Sequence, residues 1–119
     1  MGLSLLIVDD HPGFRDLAYS LLGEQGFDVT GEAQDGESAL AQVERLRPDV
    51  VLLDIQLPGI DGFEVASSLN RHPSRPRVVL TSSREAADYG ERLRQAPVLG
   101  FIAKRDLSGP ALSALVKGG

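Results

Sequence analysis

The chain contains the stretch LSLLIVDD at residues 3–10, an almost wholly apolar run that ends at two aspartates. A continuous apolar run of this length predicts a β-strand that is buried on both faces. Pro12 follows where a first helical turn would begin, and the next apolar residues recur at helical spacing. A buried strand that leads straight into a helix is typical of a parallel α/β sheet.

The same strand-then-helix pattern recurs along the rest of the sequence. Further strands are predicted at residues 28–33, 50–53, 78–81 and 98–103, and helices at residues 12–23, 38–46, 63–70, 85–95 and 109–116. Five such alternations predict an α/β fold, with a parallel sheet, helices on both faces and right-handed crossovers. In the fourth helix, the expected inward positions are Ala86, Tyr89 and Leu93.

Length and charge narrow the functional classes. The 119 residues fit one domain, so we expect a single domain over residues 1–119 with no second domain. Whether that domain stands alone or was excised from a longer protein stays open. A net charge of −5 argues against direct nucleic-acid binding. No apolar run is long enough to span a membrane, and the first residues lack the features of a signal peptide, so we expect a cytoplasmic location.

Polar residues follow four of the predicted strands. They are the Asp9-Asp10 pair, Asp54, Ser82 and Lys104. Because ligands of open parallel sheets bind beyond the carboxyl ends of the strands, we expect these side chains to share one crevice. Two carboxylates about 4 Å apart repel by roughly 4 kcal/mol at an effective dielectric of 20, and a bound cation relieves that repulsion. Since the donors are oxygens, the sequence predicts Mg²⁺ ahead of Ca²⁺.

Each of these residues also has a purely structural interpretation. Asp9 and Asp10 could cap the following helix, Ser82 could bond its own backbone, and Lys104 could be a surface lysine. The pairing of two acidic sites after two fully apolar strands favours the functional interpretation. Thr81 replaces Ser82 as the candidate if the strand register slips by one residue. His11 is interpreted as a loop residue beside the site, with a catalytic base or metal ligand as alternatives, and His72 as part of a connector.

Several motifs together resemble the receiver domain of bacterial response regulators. They are LIVDD at residues 6–10, LLD at 52–54, LPGIDG at 57–62, Ser82 and GFIAK at 100–104. The resemblance covers essentially the whole chain. It implies a flavodoxin-like fold, with a five-stranded parallel sheet in the order 2-1-3-4-5 and five helices. It also implies a role in two-component phosphorelay signalling.

The resemblance further implies a role for each matching residue. Asp54 would accept a phosphoryl group from a histidine kinase or a histidine phosphotransfer protein, and the receiver would not be a turnover enzyme. The implied Mg²⁺ ligands are Asp9, Asp10, Asp54 and the backbone carbonyl of Gln56. Ser82 and Lys104 would bind the phosphoryl group, and Ser82 with Phe101 would switch the surface between the fourth and fifth helices. Many relatives form homodimers through that face.

Two departures from the family pattern and three alternative functions remain. Arg105 stands where many receivers have proline, and Ser82 stands where threonine is commoner.

One alternative is a degenerate receiver that is never phosphorylated and acts as an interaction module. A small-molecule phosphatase would need a cap or insertion for which the chain has little room. A nucleotide- or flavin-binding module would need a glycine-rich loop where the Asp9-Asp10 pair stands.

Overall fold

The computed structural model describes residues 2–117, so Met1, Gly118 and Gly119 of the expected domain lie outside it. Within residues 2–117, five strands alternate with five α-helices. The strands are Ser4–Val8 (β1), Asp28–Ala33 (β2), Val50–Asp54 (β3), Arg77–Ser82 (β4) and Gly100–Ala103 (β5). The α-helices are Pro12–Glu24 (α1), Gly36–Leu46 (α2), Gly62–Asn70 (α3), Glu91–Gln95 (α4) and Gly109–Lys117 (α5). Two short 3₁₀ turns cover Ala86–Asp88 and Lys104–Asp106.

All the strands join one parallel sheet in the order β2-β1-β3-β4-β5. This order confirms the flavodoxin-like prediction. β2 pairs with one edge of β1, and the chain then crosses over to form β3 on the other edge. The strand order therefore reverses between β1 and β3. A crevice forms at such a reversal, beyond the carboxyl ends of the strands. Asp9, which follows β1, and Asp54, the last residue of β3, both lie at that crevice.

The core consists of two apolar layers, one on each face of the sheet. Alternate residues of β1 and β3 point to opposite faces, as the period of a strand requires. Leu6 and Leu53 pack with residues of α2 and α3, whereas Ile7 and Leu52 pack with residues of α1 and α5. Both strands are therefore buried on both faces, as their unbroken apolar sequence predicts.

The helices that follow β2 and β3 begin at aspartate caps. Asp35 accepts a hydrogen bond from the Ser38 N–H at 2.8 Å, and Ser38 returns a contact to the Asp35 N–H at 3.3 Å. This reciprocal pair is a capping box, and it places the start of α2 at Gly36, two residues before the predicted start. Asp61 caps α3 with a single hydrogen bond, which its side chain accepts from the Glu64 N–H at 3.0 Å.

The region between β4 and β5 differs from the predicted helix over residues 85–95. The 3₁₀ turn Ala86–Asp88 and the short helix α4 are separated at Gly90, which has a φ of 56°. This left-handed conformation is open to glycine and ends the first turn of helix. As a result Ala86, expected to face inward, is exposed, while Tyr89 and Leu93 are half-buried and pack on the core as predicted.

Two smaller differences from the sequence predictions concern the exposure of one α1 residue and the start of β5. Leu17 follows the helical spacing of the α1 stripe, yet its side chain is 52% exposed because it lies at the margin of the face that packs on the sheet. Strand β5 begins at Gly100 instead of residue 98. No helix within residues 2–117 has both the length and the apolar character needed to cross a membrane.

Candidate functional site

The three aspartates singled out from the sequence come together at the carboxyl edge of the sheet. One ligand atom from each of Asp9, Asp10, His11 and Asp54 lies within 4.8 Å of the others. Asp9 and Asp54 are almost completely buried, whereas Asp10 and His11 are exposed. The His11 ring, interpreted from sequence as a loop neighbour, places Nδ1 at 3.2 Å from Asp9 Oδ1 and 3.1 Å from Asp10 Oδ1.

Lys104 provides the positive charge closest to the two buried carboxylates. Its Nζ lies 2.7 Å from Asp9 Oδ2 and 3.4 Å from Asp54 Oδ2, and it also lies 4.6 Å from the centre of the Phe14 ring. The contact with Asp9 is an ion pair that lacks the alignment of a hydrogen bond. Among the residues that the structure describes, Asp9 Oδ2 therefore has no hydrogen-bond donor although it is fully buried. A buried carboxylate oxygen in this condition is open to a further cation.

The electrostatics of Asp54 reflect this crowding of charge. Burial, followed by the neighbouring charge of Asp9, raises the pKa of Asp54 to about 6, against the opposing effects of Lys104 and the Gln56 N–H. The Gln56 N–H donates to Asp54 Oδ1 at 3.1 Å. Burial by itself would lower the pKa of Lys104, but its contacts with Asp9 and Asp54 outweigh burial and the net direction is upward.

The donor set fits a hard divalent cation. Apart from the exposed His11 ring, the groups in the cluster are carboxylate oxygens, the ligands that Mg²⁺ and Ca²⁺ prefer. The peptide of Gln56 lies beside them, since its N–H binds Asp54. The raised pKa of Asp54 indicates a carboxylate with too little positive charge around it. Within residues 2–117, Asp9 Oδ2 has the Lys104 ammonium beside it but no hydrogen-bond donor.

The two neighbouring hydroxyls at the end of β4 have different surroundings. Thr81 donates to the Ile102 carbonyl at 2.7 Å, so its hydroxyl is used within the sheet. Ser82 Oγ instead accepts from the Arg84 N–H at 3.0 Å and lies 2.5 Å from the Tyr89 hydroxyl and 3.4 Å from Gln56 Oε1. Of the two, Ser82 is therefore the hydroxyl that reaches the loop beside Asp54.

Comparison with known proteins identifies the family. A sequence model of the response regulator receiver domain matches residues 5–115. The chain belongs to the response regulator receiver domain family. It is a receiver domain of two-component response regulators, and the pocket of Asp9, Asp10 and Asp54 fits the phosphoacceptor site of such domains.

Individual relatives agree with this assignment. A transcriptional regulator of Pseudomonas aeruginosa is 41% identical over 103 residues, which cover 86% of this chain and 49% of the relative. The response regulator GacA of Pseudomonas viridiflava is 36% identical, over 86% of this chain and 48% of the relative. The receiver domain of the response regulator NarL from Mycobacterium tuberculosis superposes with a TM-score of 0.88 at 32% identity, and covers 99% of this chain and 98% of that one. This receiver domain thus spans about half the length of the curated relatives it matches.

The LPGIDG loop of the receiver domain shapes the floor of the site. A Cβ atom at Gly62 would lie 2.5 Å from the carbonyl oxygen of Asp54, so the loop can approach β3 only with glycine at this position. Asp61, besides capping α3, accepts from Arg92 at 2.9 Å, and the Arg92 guanidinium lies 4.4 Å from the centre of the Phe63 ring. The motif therefore ties β3 to α3 and α4.

Two residues join the site of this receiver domain without having been assigned roles from the sequence. Arg15 donates to the Asp9 carbonyl at 2.6 Å and to Glu32 Oε1 at 2.9 Å, so it holds the loop after β1 against β2. Its position in the first turn of α1, four residues after His11, is the signal that could have found it. Tyr89 was expected only to pack inward, yet its hydroxyl reaches Ser82 and its ring lies beside Phe101.

Proposed function

We propose that Asp54 accepts a phosphoryl group from a histidine kinase or a histidine phosphotransfer protein, in a Mg²⁺-dependent reaction. The observation that carries this proposal is a buried Asp54 carboxylate beside a second buried carboxylate, Asp9, with the ammonium of Lys104 in contact with both. Within this pocket Asp54 is the group whose oxygen can attack, and the surrounding charges suit a phosphoryl group. Membership of the receiver family supports the same assignment.

The residues that would hold Mg²⁺ are Asp9, Asp10, Asp54 and the backbone carbonyl of Gln56. The buried Asp9 Oδ2, which has no hydrogen-bond donor among residues 2–117, and the oxygen-rich donor set support this ligand set. When bound, the ion would neutralise negative charge on the oxygens of the transferred phosphoryl group.

The chain's own residues account for the transfer. An oxygen of the Asp54 carboxylate forms the new bond to phosphorus as the phosphorus–nitrogen bond of the donor phosphohistidine breaks, and the released imidazole takes a proton from solvent. The Lys104 ammonium, 3.4 Å from Asp54 Oδ2, is placed to pair with a phosphoryl oxygen, and the Ser82 hydroxyl can donate to another. The phosphoryl group stays on the chain as an acyl phosphate, so the receiver acts as a phosphoacceptor and not as a turnover enzyme.

Phosphorylation would change the surface on the side of α4 and α5. The acyl phosphate adds close to two negative charges and new acceptor oxygens. Ser82 moving toward them would alter the packing around Phe101, whose half-buried ring lies 6.3 Å from that of Tyr89. We propose this surface, from α4 to α5, as the place where a partner or a second copy of the chain binds. Direct nucleic-acid binding is not proposed for residues with a net charge of −5, and the cytoplasmic location stays a prediction.

Mass spectrometry tests the proposed phosphoacceptor directly. Acetyl phosphate with Mg²⁺ should add one phosphoryl group to the wild-type protein and none to Asp54→Asn. Asp28→Asn is the matched control, because Asp28 is an exposed aspartate at the start of β2, at the opposite end of the sheet. An unmodified wild type would contradict the proposal and favour the degenerate receiver. Modification of Asp54→Asn would show that the acceptor is another residue.

A further inference from the structure

Tyr89 connects the two residues that the family resemblance assigns to the switch. Its hydroxyl lies 2.5 Å from Ser82 Oγ, and its ring centre lies 6.3 Å from that of Phe101. On its other side the ring packs edge-on against Phe63 at 5.7 Å. Tyr89 is therefore held between two aromatic rings while its polar end touches Ser82.

The Ser82 hydroxyl has a partner for each of its hydrogen-bonding positions in this arrangement. A serine hydroxyl has one proton to donate and two lone pairs to accept with. The Arg84 N–H occupies one lone pair at 3.0 Å, and Gln56 Oε1 at 3.4 Å can only accept. All three contacts are satisfied together when the proton of Ser82 points to Gln56 and the Tyr89 hydroxyl donates into the second lone pair.

This network competes with the role proposed for Ser82 in binding a phosphoryl group. No hydrogen bond joins Ser82 to Asp54 or Lys104 within residues 2–117. To donate to a phosphoryl oxygen on Asp54, Ser82 redirects its proton from Gln56. That change alone leaves the lone pair facing Tyr89 occupied, so the competition with Tyr89 comes from a shift of Ser82 Oγ toward Asp54. Since Ser82 is completely buried, the bonds that it gives up are made in a low-dielectric environment, where they are stronger than in water.

We propose that Tyr89 is a positioning residue, whose hydroxyl holds Ser82 in the unmodified arrangement and whose ring transmits the release of Ser82 to Phe101. The inference rests on the proposed function, because it concerns the response of the site to phosphorylation. The packing of the ring between Phe63 and Phe101 places the hydroxyl in advance, so little side-chain freedom is lost in making the bond. Phosphorylation and the Tyr89–Ser82 hydrogen bond then oppose each other.

The first test measures the affinity for beryllofluoride, an analogue of the phosphoryl group, in the presence of Mg²⁺. Tyr89→Phe keeps the ring and removes only the hydroxyl, and it should bind beryllofluoride about fivefold more tightly than wild type. Tyr19→Phe is the matched control, since Tyr19 is the other tyrosine of the sequence and is exposed on α1; its affinity should equal that of wild type. In a Ser82→Ala background, Tyr89→Phe should change nothing, because the partner of the hydroxyl is absent.

The outcomes separate this inference from the proposed function. If wild type and Tyr89→Phe bind beryllofluoride equally well, the inference is overturned while the proposed function stands. If Tyr89→Phe raised the beryllofluoride affinity equally in the presence and in the absence of the Ser82 hydroxyl, the inference would also be overturned, because the effect would then come from packing alone. If wild type does not bind beryllofluoride at all, the proposed function fails, and with it the switching step.

A second measurement examines the hydrogen bond in the unmodified protein. Urea unfolding of wild type, Tyr89→Phe, Ser82→Ala and the double variant forms a double-mutant cycle. The effects of the two substitutions on the folding equilibrium constant should depart from additivity by about fivefold. Strict additivity would overturn the inference without any reference to phosphorylation.

Discussion

Replacement of Asp54 by asparagine should stabilise the protein when no divalent cation is present. The Asp54 side chain is nearly isosteric with asparagine but carries a charge that is buried next to Asp9. Removing that charge relieves both the desolvation of the carboxylate and its repulsion by Asp9. The loss of the Lys104 contact at 3.4 Å offsets only part of this gain, since Lys104 keeps its closer ion pair with Asp9 at 2.7 Å.

The magnitude follows from the raised pKa of Asp54. Folding raises this pKa from 3.8 to about 6, and each pKa unit corresponds to about 1.4 kcal/mol. Below 3.8 the carboxyl is neutral in both states and makes no difference. Between 3.8 and 6 only the unfolded state loses the proton, so the stability of the wild type falls as the pH rises. Above 6 the full cost of about 3 kcal/mol applies.

Urea unfolding with a chelator present measures this difference. The Asp54→Asn variant should exceed wild type in unfolding free energy by about 3 kcal/mol at pH 7.5, and by about half as much near pH 5. Asp28→Asn, with an exposed aspartate, should match wild type at both pH values. Adding Mg²⁺ should stabilise wild type and reduce the gap, because binding to the folded state alone stabilises it by mass action.

An Asp54→Asn variant that is no more stable than wild type at neutral pH would show that the buried charge of Asp54 does not destabilise the fold. A gain of the same size at both pH values would also contradict the prediction, since the effect would then not come from the ionisation of Asp54. If Mg²⁺ stabilised both proteins equally, Asp54 would not contribute to the metal site.

Three further predictions concern the metal site, the lysine and the loop. Asp10→Asn should weaken Mg²⁺ binding, measured by calorimetry, by about tenfold or more, because a charged ligand is lost; an unchanged affinity would contradict the ligand assignment. Lys104→Met should lower the unfolding free energy by about 3 kcal/mol, because it leaves two buried carboxylates without their cation, and Mg²⁺ should restore part of the loss. Gly62→Ala should cost about 2 kcal/mol or more, because its Cβ would lie 2.5 Å from the Asp54 carbonyl oxygen, whereas Gly13→Ala, with nothing within 4 Å, should be neutral or slightly stabilising in the same unfolding assay.

Some features of the site depend on contacts that no local pattern records. Gly90 separates two short helical pieces where the sequence predicted one helix, and it does so by adopting a φ of 56°. The hydroxyl of Tyr89 meets Ser82 across this irregular segment, so no helical or strand period relates the two residues. The pKa of Asp54 likewise depends on its burial and on the charge of Asp9, neither of which follows from the residues of β3 alone.

The sequence by itself determined the sheet and the membership of the site. The apolar runs of β1 and β3 are unbroken because both faces of these strands are covered, and each run leads directly to an aspartate of the pocket. Parallel strands bring their carboxyl ends to one edge, so Asp9, Asp54, Ser82 and Lys104 had to meet there. Only the tertiary structure decided how they share hydrogen bonds and charge: Lys104 pairs most closely with Asp9, and Ser82 is bound to Tyr89. Such pairings depend on distances of a few tenths of an ångström between elements, which are set by how the helices and loops pack on the sheet.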